Sequence, residues 1–195
     1  SSRTDCMEYH AKMEQITSDI REKVLRQMED YDYNSYTATD VVRALEAQHC
    51  SPENFRALLS PAAEPFLEQM AKKAKAETGK HFGNTVYVFT PLYIANYCSN
   101  YCIYCGFNCY NDIERKQLSH DEIEHEMKVI ADSGIEEILM LTGESPEKSS
   151  IAYIGDACRL AAKYFRNVGL EIYPVNTADY RFLHECGADY VTVFQ

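Results

Sequence analysis

From Thr85 onward the chain alternates strand-like and helix-like patterns, and this alternation limits the possible folds more than any other feature. The strand-like runs are β-branched, aromatic or wholly apolar: Thr85–Thr90, Ile138–Leu141, Leu170–Val175 and Tyr190–Phe194. Helical spacing separates them, with ~30–35 residues per βα step, which favours parallel strands joined by right-handed crossovers. A doubly wound sheet and a (β/α) barrel both fit this order.

The helices between these runs have recognisable ends. Ser119 and Glu122 form a capping-box pattern that begins a helix running to Gly134. Apolar spacing predicts a second helix through residues 154–165 and a third over Thr177–Cys186, which Gly187 ends. The fold class is therefore α/β.

Residues 1–83 are predicted to form a helical arm, and residues 84–195 the α/β domain. An apolar stripe through Ile16, Ile20, Val24 and Met28 predicts the first helix. Thr37 with Asp40, Ser51-Pro52 and Ser60-Pro61 mark three further helix starts, and the last of these helices should close near Gly79. The arm fits either a helical layer packed on another element or an independent helical domain.

The chain has only four strand patterns, whereas a closed barrel has eight and typically ~250 residues. Four parallel strands alone would leave an unpaired hydrophobic edge. We therefore expect these 195 residues to be the N-terminal part of a longer, truncated barrel, inactive as a fragment. A complete small α/β domain is the alternative.

The charge and cysteine content restrict the partners and the compartment. A formal net charge of −11 argues against nucleic acid and against an anionic membrane surface. Since no apolar run approaches ~18 residues, we expect no membrane span. The chain has eight cysteines and shows no secretory pattern, which indicates a reducing compartment, the cytoplasm.

Four of the cysteines fall in one short stretch, Asn96–Asp112, which follows the first predicted strand. Cys98, Cys102 and Cys105 have C-x3-C-x2-C spacing, and Cys109 comes four residues later. Asparagine and glycine between them favour a loop, which can wrap several thiolates around one centre. The remaining cysteines, Cys6, Cys50, Cys158 and Cys186, are predicted to be buried packing residues.

Two metals are compatible with such a loop. Structural zinc usually takes two cysteine pairs with a long spacer between them, which fits this single run poorly. Three thiolates would instead leave one iron of a [4Fe–4S] cluster open to a further ligand. A non-catalytic, metal-stabilised α/β module that docks a partner remains an alternative to an enzyme.

The stretch resembles the radical S-adenosylmethionine (SAM) superfamily, whose signature is C-x3-C-x2-C with an aromatic residue, here Tyr104, before the last cysteine. Within it, the chain resembles the tyrosine lyases of thiazole (thiamine) biosynthesis, the 2-iminoacetate synthases. The matching segments are Leu59–Met70, Phe82–Val86, Pro91–Phe107, Arg115–Leu118 and Leu141–Glu144.

The resemblance implies a lyase with a [4Fe–4S] cluster and SAM as cofactors and a radical SAM (β/α) TIM-like barrel, of which these residues would form the first half. Cys98, Cys102 and Cys105 would bind three irons, and SAM would chelate the fourth. Reductive cleavage of SAM would give a 5′-deoxyadenosyl radical, which takes a hydrogen from the amino group of tyrosine. The Cα–Cβ bond then breaks, giving 2-iminoacetate (dehydroglycine) and p-cresol.

The resemblance also implies cofactor-binding residues. Tyr104 matches an aromatic position near the adenine, although it could equally pack in the barrel mouth. Gly143 and Glu144 match a Gly-Gly-Glu-like motif that meets the SAM amino group, although Glu144 could simply begin a loop. Asn176 lies on the same face. No catalytic residue is assigned; Cys109 is predicted to be a bystander rather than a fourth ligand.

The arginine and lysine after the loop allow two interpretations. Arg115 and Lys116 could bind a carboxylate of SAM or substrate, or they could be a solvated basic pair. As partners, the resemblance implies L-tyrosine as substrate, a thiazole synthase and a flavodoxin- or ferredoxin-type electron donor. The nearest rival is the related tyrosine lyase of [FeFe]-hydrogenase maturation, which makes carbon monoxide and cyanide.

Overall fold

The computed structural model describes residue 14, residues 18–29 and residues 31–193. These residues form two compact units. The first comprises the described residues from 18 to 86, and the second comprises residues 87–193 together with Glu14. The predicted boundary after Gly83 stays a prediction.

The first unit is helical. Its elements are α1 (Ile20–Glu29), α2 (Ala38–Glu46), α3 (Pro52–Leu59), a short 3-10 helix (Pro61–Phe66) and α4 (Leu67–Phe82). The predicted helix starts at Thr37 and Ser51 are confirmed, because each side chain accepts the backbone N–H three residues later and forms a reciprocal capping box. Lys73 of α4 donates to the Ala47 carbonyl at 2.7 Å, and so stabilises the carboxyl end of α2.

Three predictions for this unit need correction or limitation. The helix predicted to end near Gly79 continues to Phe82, and Gly83 ends it with a positive φ of 63°. Cys50 was predicted to be buried but is exposed, because it lies in the turn between α2 and α3. The predicted positions Ile16 and Cys6 lie outside the described residues.

The second unit is a parallel α/β layer, as the strand and helix patterns predict. Its elements are β1 (Phe89–Ala95), α5 (His120–Asp132), β2 (Glu137–Thr142), α6 (Ile151–Ala161), β3 (Asn167–Ile172), α7 (Thr177–Glu185) and β4 (Tyr190–Val193). The sheet order is β1-β2-β3-β4, and every neighbouring pair is parallel. Because a doubly wound sheet reverses its strand order at a switch point, this sequential order favours the barrel alternative.

Two strands were predicted at the wrong positions. The first was expected at residues 85–90, yet β1 begins at Phe89 and extends through Pro91 to Ala95. Val86 before it is 80% exposed. Among the described strands β1 is an edge, with β2 as its neighbour, and an edge tolerates a proline that has no N–H to donate.

The third strand was expected at residues 170–175, but β3 covers Asn167–Ile172. The predicted strand began after Gly169, because glycine is unfavourable inside a strand. A Cβ at this position would lie 2.3 Å from the ring of Tyr190 on β4, so a larger residue would have to displace that ring. The strand is instead defined by its pairing with β2 and β4, which a local pattern does not contain.

The core of this unit lies between the sheet and its helices. Its fully buried members come from strands and helices alike: Ile94, Ile123, Met127, Ile138, Met140, Ile154 and Leu170. Cys158 and Cys186 are buried beside them, which confirms their prediction as packing residues. Burial raises the pKa of the Cys158 thiol to about 12, so this thiol stays protonated and unreactive at neutral pH. No helix in the described part of the chain is long and apolar enough to span a membrane.

Candidate cluster-binding site

The cysteine loop, residues 96–113, begins directly after β1 at the carboxyl end of the sheet. A returning segment closes the loop, because Ala95 pairs with Gln117 in an antiparallel bridge. The Asn96 N–H donates to the Lys116 carbonyl at 3.1 Å, and the Leu118 N–H donates to the Ile94 carbonyl at 2.9 Å. Both ends of the loop are therefore fixed to the sheet.

A tyrosine of α6 supports this closure. The Tyr153 hydroxyl lies 2.8 Å from the carbonyl oxygens of both Ile94 and Leu118. Burial, with a smaller contribution from Glu122, raises the pKa of Tyr153 to about 12, so its hydroxyl keeps its proton at neutral pH. Sequence reasoning missed Tyr153, which looked like one helix residue among many.

Within the loop, hydrogen bonds to the main chain form the turns that carry the thiols. The Cys105 N–H donates to the Cys102 carbonyl at 3.1 Å, which closes a turn over the C-x2-C pair. The Asn108 side chain donates to the Cys105 carbonyl at 3.0 Å. The Cys109 N–H donates to the Asn100 carbonyl at 2.7 Å and joins the two halves of the loop. The asparagines thus act as local hydrogen-bonding residues, as expected in a turn-rich loop.

Arg115 makes four hydrogen bonds around the loop. Its guanidinium donates to four main-chain carbonyls, those of Asn96, Phe107, Asn108 and Asn111. This half-buried side chain is not the solvated cation of one predicted role. Its predicted binding of a SAM or substrate carboxylate stays a prediction. Lys116 instead pairs with Glu122 at 2.8 Å. The predicted basic pair therefore consists of two residues with different partners.

The thiols lie at different depths within this loop. Cys98 and Cys105 are half-buried, Cys102 and Cys109 are exposed, and all four are free. Within the residues that the structure describes, no three His, Cys, Asp or Glu side chains form a group that could hold a metal ion. The loop thus brings the three predicted ligands into one short segment, and their convergence on a metal stays a prediction.

The end of β2 packs against the start of the cysteine loop. Gly143 is buried, and a Cβ on it would lie 2.9 Å from the Cβ of Cys98. The Glu144 carbonyl accepts the Ser99 N–H at 2.9 Å, while the Glu144 carboxylate accepts a short hydrogen bond from the Asn100 side chain. Glu144 thus does more than begin a loop: it connects β2 to the residues between the first two cysteines. Its predicted contact with SAM stays a prediction.

Tyr104 lies apart from these contacts. Its side chain is 84% exposed among the described residues, and both predicted positions, beside the adenine and in the barrel mouth, stay predictions. The neighbouring Ile103 is 96% exposed. The two side chains between Cys102 and Cys105 therefore point outward and are accessible to a bound molecule, which is compatible with the predicted adenine contact.

Asn176 begins α7 at the same edge of the sheet, just beyond β3. Its side-chain oxygen accepts the Glu14 N–H at 2.9 Å, and the Thr177 hydroxyl donates to the Glu14 carboxylate at 2.9 Å. Asp179 accepts the Asn176 N–H at 3.2 Å. Asn176 thus has a structural role at the start of α7, and its contact with SAM stays a prediction.

The carboxyl edge of the sheet also contains a buried tyrosine. Tyr173 follows β3 and donates its hydroxyl hydrogen to the Ser149 carbonyl. Burial, together with the negative charges of Asp179 and Glu144, raises the pKa of Tyr173 to about 12. The hydroxyl therefore remains a hydrogen-bond donor and fixes the loop that follows β2.

The free cysteines thus lie at the carboxyl edge of a sequentially ordered parallel sheet, which is the face of a barrel that carries active sites. The family model described as the Radical SAM superfamily matches residues 92–193, which include the cysteine loop and reach from β1 to β4. The chain belongs to the radical SAM superfamily.

Curated relatives narrow the branch of this superfamily. The chain is 40% identical over 162 residues to the 2-iminoacetate synthase of Escherichia coli (strain K12), a match that covers 83% of this chain and 43% of that protein. It is 35% identical over 104 residues to the 3-methylornithine synthase of Methanosarcina acetivorans, covering 53% of this chain and 30% of that protein. The chain therefore spans less than half the length of each of these two relatives.

Solved structures show the same fold. The crystal structure of HydG, a maturase of the [FeFe]-hydrogenase, matches with a TM-score of 0.80 at 27% identity, covering 89% of this chain and 40% of that one. Methylornithine synthase (PylB) matches with a TM-score of 0.66 at 22% identity, covering 79% and 46%, and supports the fold alone. The second unit is thus part of a radical SAM TIM-like barrel.

The chemistry of the cysteine loop fits an iron–sulfur cluster. Thiolates are the ligands that hold such clusters, and the three thiols of the signature are free and lie in one loop. The hydrogen bonds of Arg115, Asn108 and Glu144 all leave the sulfur atoms themselves unengaged. These bonds therefore do not occupy the thiols that would bind iron.

Proposed function

We propose that this chain provides the cluster-binding part of a radical SAM tyrosine lyase that cleaves tyrosine to 2-iminoacetate and p-cresol for thiazole biosynthesis. The observation that carries the proposal is the 40% identity to 2-iminoacetate synthase across 83% of the chain. The superfamily model covers only residues 92–193, whereas the alignment with 2-iminoacetate synthase covers 162 residues. The likeness to that enzyme therefore extends beyond the superfamily region.

Cys98, Cys102 and Cys105 would hold the cluster, and Tyr104, Gly143, Glu144 and Asn176 would contact SAM. When bound, the cluster and SAM together supply the 5′-deoxyadenosyl radical that begins the reaction. The protein's contribution is positional: Glu144 fixes the loop through Ser99 and Asn100. Gly143 lets the loop approach β2 without a side chain between them.

The proposed partners follow from this reaction. L-tyrosine is the substrate, a flavodoxin- or ferredoxin-type protein supplies the electron, and a thiazole synthase accepts the labile 2-iminoacetate. The cytoplasm, a reducing compartment, would keep the loop thiols free for iron.

The test uses the complete gene product that includes this chain, reconstituted anaerobically with iron and sulfide. About four irons per protein are expected for one [4Fe–4S] cluster. With SAM, tyrosine and a reductant, p-cresol and 5′-deoxyadenosine should form together, and Cys102→Ala should form neither. Formation of 5′-deoxyadenosine without p-cresol would place the protein in another radical SAM branch. Stoichiometric zinc without iron uptake would indicate a structural, non-catalytic module.

A second candidate is a tyrosine lyase of hydrogenase maturation, because the HydG structure matches with a TM-score of 0.80. The identity to HydG is 27%, compared with 40% to 2-iminoacetate synthase, which favours the thiazole branch. The same assay separates the two candidates. Carbon monoxide and cyanide released together with p-cresol would identify the maturase activity.

A further inference from the structure

We propose that Arg115 is a positioning residue for the iron–sulfur cluster, and that it acts through Asn108 on the C-x2-C turn. The inference rests on the proposed function, since it concerns the same cluster. Arg115 is not expected to touch cluster, SAM or substrate. Its effect comes from the main-chain path that it imposes on the cysteine loop.

The bonds of Arg115 reach parts of the loop that are distant in sequence. One guanidinium nitrogen donates to the Asn96 carbonyl at 2.8 Å and to the Phe107 carbonyl at 2.7 Å. The other donates to the Asn108 carbonyl at 2.7 Å and to the Asn111 carbonyl at 3.3 Å. The start of the loop and its far end are therefore held by one rigid, planar group.

Asn108 transmits this position to the cysteines. Arg115 fixes the Asn108 carbonyl, while the Asn108 side chain donates to the Cys105 carbonyl at 3.0 Å and to the Cys102 carbonyl at 3.4 Å. The side-chain oxygen of Asn108 accepts the Tyr110 N–H at 2.9 Å, so both ends of the amide are engaged. A continuous path of hydrogen bonds thus runs from the guanidinium to two of the three ligand residues.

The path matters because the loop between Asn96 and Asp112 contains no helix or strand of its own to support its turns. A loop without such support loses conformational entropy when a cluster orders it, and this loss weakens binding. Arg115 and Asn108 reduce the loss by ordering the turn before iron arrives. Lysine cannot replace arginine here, because an ammonium is a point charge that does not span four carbonyls.

The chain offers a matched control in the adjacent residue. Lys116 carries the same charge, but its side chain pairs with Glu122 at 2.8 Å and is 56% exposed. Arg115→Gln and Lys116→Gln therefore remove the same charge from neighbouring positions. Only the first removes side-chain bonds to the cysteine loop. Arg115→Lys keeps the charge but removes the planar guanidinium and its two donating nitrogens.

Two measurements on the complete gene product test the inference. The first is hydrogen exchange of loop amides in the metal-free protein, which should be faster in Arg115→Gln and Arg115→Lys and unchanged in Lys116→Gln. The second is the rate of iron loss to a chelator after reconstitution. The two Arg115 variants should lose iron ~10-fold faster than wild type, a typical effect of removing an outer support of metal ligands. The reduced cluster of these variants should also show a broadened EPR spectrum.

The outcomes separate the inference from the proposed function. If the wild type binds no iron, the proposed function fails and the inference fails with it. If the wild type binds iron and Arg115→Gln retains it equally well, only the inference is overturned. If exchange in Arg115→Gln rises equally throughout the unit, Arg115 stabilises the whole fold, and this too overturns a specific positioning role. Wild-type-like behaviour of Arg115→Lys would show that charge alone suffices, against the proposed geometry.

Discussion

Gly143 lies so close to Tyr97 that a Cβ on the glycine would be 2.3 Å from the Tyr97 carbonyl oxygen. This distance is too short for any side chain. The end of β2 therefore meets the cysteine loop along its main chain, and the glycine is required by packing as well as by any contact with SAM. A larger residue must displace Tyr97 and, with it, Cys98.

We expect Gly143→Ala to destabilise the second unit by about 1–3 kcal/mol, as overpacked sites do, and to lower the iron content after reconstitution. Gly106→Ala is the control, because Gly106 lies in the cysteine loop itself and a Cβ on it would have no heavy atom within 4 Å. Thermal unfolding and iron analysis check both variants. Equal effects of the two substitutions would contradict the packing argument.

Tyr153→Phe should loosen the closure of the cysteine loop. The substitution removes the hydroxyl that bonds the carbonyls of Ile94 and Leu118, at a cost of about 1–2 kcal/mol in unfolding free energy. Denaturant unfolding measures the loss. The control is Tyr87→Phe, at a side chain that is 73% exposed, which should leave stability unchanged. A Tyr153→Phe protein as stable as wild type would show that the contacts of this hydroxyl do not contribute to the free energy of unfolding.

The four loop cysteines should differ in their importance for iron binding. Alanine at Cys98, Cys102 or Cys105 should abolish a stable [4Fe–4S] cluster, because each removes one of three proposed ligands. Alanine at Cys109 should leave iron content and the EPR spectrum unchanged, since this thiol is interpreted as a bystander. Loss of the cluster in Cys109→Ala would instead assign it as a ligand.

The lowered pKa of Glu122 predicts that the stability of the fold depends on pH. Its bonds to Lys116, and then to Ser119, lower the pKa of the Glu122 carboxyl from 4.5 to about 2. The folded state therefore binds this proton less readily than the unfolded state, so the stabilisation is present above pH 4.5 and disappears as the pH falls to about 2.

In Glu122→Gln this contribution is absent at every pH. The melting temperature of the variant should therefore lie below that of wild type at neutral pH, and the two values should converge in acid. Glu126→Gln, an exposed position on the same helix, serves as the control and should follow the wild type. A constant difference between wild type and Glu122→Gln across this range would refute the assignment.

Local patterns predicted most of the fold. The capping boxes at Thr37, Ser51 and Ser119 begin helices as expected, because a cap is made by residues three apart. The strand bounds were less accurate. Pro91 lies inside β1 and Gly169 inside β3, because pairing with β2 extends both strands over residues that are locally unfavourable in a strand.

The site was predictable to the extent that its chemistry resides in residue type and spacing. The cysteine signature was visible because three thiols so close together are rare outside metal sites. Arg115 and Tyr153 were not recognised as loop supports, because their partners are main-chain carbonyls. Every residue has such a carbonyl, so no complementary residue type marks the contact in the sequence.

The dependence of Arg115 on carbonyls has a consequence for how this loop can diverge. Side chains at Phe107 or Asn111 can change without removing the acceptors, because any residue supplies the same oxygen. The number of residues between Asn96 and Arg115 has no such freedom. One inserted residue would move the carbonyls out of register with a rigid guanidinium. Homologous loops should therefore vary readily in composition and very little in length.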